Sequence, residues 1–124
     1  MVTIRLRPHH LTAIEDYLYR PKETVEGLKN CGYSQEYIDN ERDTIWKILT
    51  DKDCKVEIVP ALDDLCRACR PKRLRCFQND PAGVMGYMDS LRLQVGKPYS
   101  ARDIVRKIQD KYEINRAFRE AQQR

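Results

Sequence analysis

Two short alternating segments, each ended by a proline, limit the sheet that this chain can build. Residues 2–7 alternate apolar and polar side chains before Pro8, which is the pattern of a half-buried strand. Residues 55–59 repeat that pattern before Pro60. These two segments predict about two short strands.

Helical spacing of apolar residues dominates the rest of the chain. It predicts helices from His9 to Pro21, from a Ser34 cap to about Asp51, from Asp80-Pro81 to Gly96, and from a Ser100 cap to Tyr112 or beyond. Residues 22–33 carry turn signals and are predicted to be irregular. We therefore expect one small α+β domain over residues 1–124, with two strands packed with three to four helices and a cysteine-bearing loop.

That loop holds three cysteines in the spacing Cys66-x2-Cys69-x6-Cys76. Thiolates this close in sequence can meet at one zinc ion or one iron–sulfur cluster, although both centres usually require four ligands. The chain has five cysteines, an odd number, and its first ten residues lack the apolar core of a signal peptide. We therefore expect reduced thiols in a cytoplasmic protein. No apolar run approaches the ~20 residues that a membrane span needs.

Basic residues surround these cysteines, and five Lys or Arg side chains lie within residues 67–75. Nearby cations lower the pKa of a thiol and so favour the thiolate that binds metal. The missing fourth ligand could come from His9, His10 or Cys31. The competing interpretation is that reduced cysteines simply lie in a basic loop, and that a histidine caps a helix or satisfies a buried carbonyl group.

Four blocks of the chain occur in an order that resembles a known family: IRLRPHHL at 4–11, GYS at 32–34, VEIVPALDDLCRAC at 56–69 and MDSLRLQVGKPYSARDIVRKI at 88–108. The family comprises small bacterial and archaeal proteins of unknown function that are described as iron–sulfur-binding. The resemblance implies a set of four cysteines, the first of which corresponds here to Ala13. Cys66, Cys69 and Cys76 match the other three. The resemblance therefore implies that Cys31 or a histidine replaces the lost ligand, or that the centre is absent.

Two other functions compete with a zinc or iron–sulfur centre. The basic loop at 67–75 could bind nucleic acid or another acidic partner, although no recognised nucleic-acid-binding motif accompanies it. Alternatively, His9 or His10 could act as an acid–base group beside a reactive cysteine, and the acidic pair Asp63 and Asp64 comes shortly before Cys66 in the sequence. The spacing of the cysteines favours the metal-binding hypothesis.

Overall fold

The computed structural model describes residues 2–51, 53–60, 63–65 and 81–123, without the side chains of 81–84. Within these residues the elements follow in the order β1 (Thr3–Leu6), a 3-10 helix (Pro8–Leu11), α1 (Thr12–Tyr19), α2 (Pro21–Asn30), α3 (Gln35–Thr50), β2 (Lys55–Ile58), α4 (Pro81–Leu91), β3 (Pro98–Ser100) and α5 (Ala101–Gln122). The predicted α+β class is confirmed.

The three strands form one sheet in the order β1-β2-β3. β1 runs parallel to β2 with Ile4 opposite Val56, and β2 runs antiparallel to β3 with Val56 opposite Tyr99. Two adjacent parallel strands cannot be joined by a tight turn, so the chain must cross over between them. Helices α1, α2 and α3 make up this crossover. The short 3-10 helix directly after β1 consequently lies beside these three helices.

One apolar core fills the space between the sheet and the helices. The inward residues of β1 and β2 are all buried, and they are joined by isoleucines of α1, α3 and α5: Ile4, Leu6, Val56, Ile58, Ile14, Ile38, Ile45, Ile48, Ile104 and Ile108. Two serines fix the starts of the helices that cover the sheet. The Oγ of Ser34 accepts the N–H of Tyr37 at 3.1 Å, and the Oγ of Ser100 accepts the N–H of Asp103 at 3.1 Å. Both predicted caps are confirmed.

The sequence prediction was wrong about residues 22–33, because Pro21–Asn30 is helix α2. Pro21 ends α1 as expected, but it also occupies the first position of the next helix, where a proline is favoured. Gly27 is tolerated in the middle of this exposed helix, although glycine lowers helix propensity. No residue of α2 is fully buried.

The prediction also gave too few strands and helices, since the described residues form three strands and five α-helices. The missed strand, β3, is only three residues long, which is too short to show alternation. Helix α4 ends at Leu91 rather than near Gly96. Its end is a Schellman turn, in which Leu93 N–H donates to Met88 O at 3.1 Å and Arg92 N–H donates to Asp89 O at 3.0 Å. Arg92 adopts the left-handed conformation, with φ of 56°, that glycine usually supplies at this position.

Among the described residues, no helix combines the length and the apolar character that crossing a membrane would demand.

Candidate functional site

The two histidines of the chain lie in the 3-10 helix that directly follows β1. The backbone N–H of His10 donates to Arg7 O at 3.0 Å, and the hydroxyl of Thr12 donates to His9 O at 2.8 Å. These bonds fix the short turn between the strand and α1. The two rings contact each other, with their centroids 4.1 Å apart. The predicted placement of both histidines just beyond a strand end is confirmed.

Asp63, which comes 53 residues after His10 in the chain, forms a hydrogen bond to the His10 ring. Its Oδ2 atom lies 2.5 Å from His10 Nδ1 and accepts the backbone N–H of Arg7 at 2.6 Å. Its Oδ1 atom accepts the N–H of Leu65 at 3.0 Å. Because both oxygens accept N–H groups, a carboxylate suits this site, and Nδ1 of His10 is then the protonated ring nitrogen. In a neutral imidazole the other nitrogen, Nε2, then carries the lone pair.

The three residues that precede the cysteine run are held firmly against β1. The N–H of Asp64 donates to Arg5 O at 3.1 Å, while the Asp64 Oδ2 atom accepts the N–H of Arg5 at 2.8 Å. The side-chain amide of Asn40, on α3, donates to Asp64 O at 3.0 Å. Leu65 is completely buried.

His9 is buried, with 7% of its surface exposed. Burial, with smaller contributions from the charges of His10 and Arg7, lowers the pKa of His9 from 6.5 to about 4. The imidazole is therefore neutral at pH 7, which is the form that binds metal ions.

A second buried carboxyl group, that of Glu41, lies on α3. Its Oε2 atom accepts the hydroxyl of Tyr17 at 3.1 Å, and its Oε1 atom accepts the hydroxyl of Tyr37 at 3.4 Å. Burial raises the pKa of Glu41 above its usual range, against the opposing effect of the two tyrosine hydroxyls and His10. Burial and the adjacent Glu41 also raise the pKa of Tyr17. Both hydroxyl groups are thus donors to Glu41.

A cavity of about 650 Å³ connects these groups. Its wall includes every position that the sequence offered for a fourth ligand, together with the position where the resembled family has its first cysteine: His9, His10, Cys31 and Ala13. Cys31 caps the end of α2 and is exposed. The fold therefore gathers four positions that are up to 22 residues apart in sequence. Glu41 and Tyr37 complete one side of this wall.

The remaining predicted ligands, Cys66, Cys69 and Cys76, lie outside the described residues, as does the basic loop at 67–75. The metal site and the nucleic-acid alternative both remain predictions for that reason. Within the described ranges, no group of three or more His, Cys, Asp or Glu side chains could hold a metal ion. The fifth cysteine, Cys54, is buried in the core, where burial raises the pKa of its thiol.

Sequence reasoning missed Glu41 and its two tyrosines. A signal was present, because Glu41 lies among Tyr37, Ile38 and Ile45 on the buried side of α3. A carboxyl group on an apolar helix face indicates a paired or functional site, since an unpaired charge is costly to bury.

Comparison with known proteins gives one family. Residues 32–123 match the model of a family described as "Protein of unknown function (DUF1284)". The matched range contains the three clustered cysteines and excludes the histidine block at 4–11. Searches of curated proteins and of solved structures gave no significant match.

Proposed function

This chain belongs to the DUF1284 family, and we propose that it binds a metal ion through Cys66, Cys69, Cys76 and the Nε2 atom of His10. The observation that carries the proposal is the hydrogen bond from His10 Nδ1 to buried Asp63, at 2.5 Å. A histidine that ligates a metal almost always donates its other ring N–H to a carboxylate or carbonyl group, which fixes the ring and its tautomer.

The position of Asp63 in the chain supports the same ligand set. Asp63 is three residues before Cys66, and it bonds at once to His10 and to the N–H of Leu65. One side chain therefore orients the imidazole and holds Leu65, the residue that precedes Cys66 in the sequence. In addition, Ala13 lines the same cavity as His10. A ligand lost at position 13 could be replaced from this neighbourhood without a change of fold.

The donor set favours zinc over an iron–sulfur cluster. Three thiolates and one imidazole form a common tetrahedral zinc site, whereas most clusters are held by cysteines alone. Three thiolates and a divalent ion also leave one net negative charge, which the five basic residues at 67–75 would offset. Such a site would be structural, because four protein ligands leave no open position for a substrate.

The test is metal analysis of protein purified without air and without a metal-affinity tag. We expect stoichiometric zinc and no visible absorption band. Iron and sulfide with a broad visible band would replace zinc by a cluster and refute the His10-ligated zinc site. Neither metal at stoichiometry would refute metal binding altogether.

Single variants identify the ligands. Replacement of any one of Cys66, Cys69 or Cys76 by serine should abolish stoichiometric metal binding. In contrast, Cys54→Ser should keep the metal, because Cys54 is buried in the core. The fourth ligand is identified by comparing His10→Gln with His9→Gln and Cys31→Ser. Cobalt substitution makes the comparison direct, since the intensity of the thiolate-to-cobalt charge-transfer band counts the thiolates. We expect the band of a three-thiolate site in the Cys31→Ser protein; a loss of intensity there would assign the fourth position to Cys31 instead.

A further inference from the structure

We propose that the cavity between α1, α2 and α3 binds a small organic cation, whose ammonium group contacts Glu41. The cavity volume of about 650 Å³ lies within the range of small-molecule sites, ~300–1,000 Å³. The inference uses residues of these helices together with Arg20 and Tyr33, which lie between them, and none of the proposed metal ligands.

Glu41 supplies the recognition element. Only 5% of its surface is exposed, and its two described partners are neutral hydroxyl groups, those of Tyr17 and Tyr37. No lysine or arginine of the described residues forms an ion pair with it. A carboxylate has about four acceptor positions, and these hydroxyl groups occupy two. The group thus has acceptor capacity toward the cavity and a charge that a bound cation would balance.

The charge of the wall favours the same ligand class. Among the described lining residues, Asp16, Glu23 and Glu41 are acidic, and Arg20 is the one Lys or Arg. The Arg20 guanidinium already bonds Asp16 at 2.9 Å. The chain as a whole carries a net charge of +4, so an acidic cavity runs against its composition. An anionic ligand would be repelled here, whereas a cation is attracted.

The other wall residues suit an organic cation rather than a metal ion. The rings of Tyr33 and Tyr37 lie on the wall with centroids 4.8 Å apart, and aromatic faces attract alkylammonium groups. Ala13 and Leu28 offer apolar contact to an alkyl chain. A bare metal ion needs several ligands at once, and the described residues hold no such group.

The experiment is a titration of isotope-labelled protein with n-butylammonium at pH 7, followed through backbone amide shifts. We expect saturable shifts in α1, α2 and the first two turns of α3. The neutral n-butanol and the anionic butyrate match the probe in length. Each should bind at least about tenfold more weakly, because a hydrogen bond to a charged group contributes ~1.5–3 kcal/mol. Equal binding of n-butanol, or no shift with n-butylammonium, would overturn the proposal.

Glu41→Gln preserves the shape of the side chain and removes its charge, and it should weaken n-butylammonium binding about tenfold. The matched control is Glu36→Gln, which makes the same change at an exposed position in the first turn of the same helix. It should bind like the parent protein. Unchanged affinity in Glu41→Gln would refute the role of Glu41.

A third variant guards against misfolding of the Glu41 variant. A Cβ atom on Gly27 meets nothing within 4 Å, and Gly27 lines the cavity. Gly27→Leu should therefore retain the fold, because leucine also favours a helix more than glycine does, and should reduce binding by filling the space. Binding undiminished by Gly27→Leu would place the probe elsewhere. Finally, saturable shifts at the same amides with Mg²⁺, sensitive to Glu41→Gln, would overturn the organic cation in favour of a metal ion.

Discussion

Replacing Asp63 by asparagine changes one oxygen of a buried carboxylate that accepts at least three N–H groups. Two come from the backbone of Arg7 and Leu65, and the third from His10 Nδ1. If the amide oxygen of asparagine keeps the bonds to Arg7 N–H and His10 Nδ1, the NH2 group must point toward Leu65 N–H. One buried donor then faces another donor. The variant therefore loses at least one hydrogen bond and weakens the others.

The magnitude follows from these contacts. Hydrogen bonds to a charged group contribute about 1 kcal/mol more than neutral ones, so two retained bonds lose ~2 kcal/mol in all. An unsatisfied buried donor costs a further ~1–3 kcal/mol. We expect Asp63→Asn to lower the free energy of unfolding by about 3–5 kcal/mol, in line with the loss of one member of a buried pair.

The assay is urea unfolding of the reduced, metal-free protein, followed by far-ultraviolet circular dichroism. Tryptophan fluorescence would be a poor probe, since Trp46 is 65% exposed. The control is Asp53→Asn, because the Asp53 carboxylate is exposed and has no bonded partner among the described residues; its effect should stay within ~0.5 kcal/mol. A loss below ~1 kcal/mol in Asp63→Asn, at an unchanged denaturant slope, would refute the reasoning. If His10 is a metal ligand, the same variant should also weaken metal binding about 10–100-fold.

Three further predictions concern other parts of the fold. Ser34→Ala should destabilise the protein by about 1 kcal/mol in urea unfolding, because the Oγ atom caps α3; Ser90→Ala, at an exposed position inside α4, should cost less than half of that. Arg92→Gly should stabilise by ~0.5–1 kcal/mol, since φ of 56° suits glycine; a lower melting temperature would contradict this. In metal-free protein, the unfolded chain takes up a proton at His9 below pH 6.5, whereas the folded chain does so only near pH 4. Stability should therefore fall by about 3 kcal/mol as pH drops through this window, and His9→Gln should flatten that slope in urea unfolding measured across pH.

The strands β1 and β2 could be predicted because each buries one face against the core and leaves the other polar. The starts of α3 and α5 could also be predicted, since a capping serine acts on its own neighbours in sequence. In contrast, β3 forms by pairing with the second edge of β2, and its three residues are too few to indicate that pairing in the sequence. The end of α4 was misplaced because an arginine occupies a turn position that usually identifies itself by glycine.

The candidate site also has features that the sequence could predict and features that it could not. The histidines and the cysteines could be named from residue type and spacing alone. The bond between His10 and Asp63 joins residues 53 apart, and the gathering of Ala13 and Cys31 around one cavity depends on how three helices pack. Such proximity is a property of tertiary structure. A charged residue on an apolar helix face, as at Glu41, was the one local sign of it.

The docking of residues 63–65 has a consequence for how the sheet meets solvent. In the sheet formed by the described residues, β1 is an edge strand. The backbone groups of its even-numbered residues face β2, as the bonds from Lys55 N–H to Val2 O and from Val59 N–H to Leu6 O indicate. The odd-numbered groups therefore point outward, where an open edge can recruit a strand from another chain. Asp63 and Asp64 occupy three of these groups: Arg5 N–H, Arg5 C=O and Arg7 N–H. The acidic pair thus occupies backbone groups at the outer edge of β1, and its loss should promote aggregation through strand addition at β1.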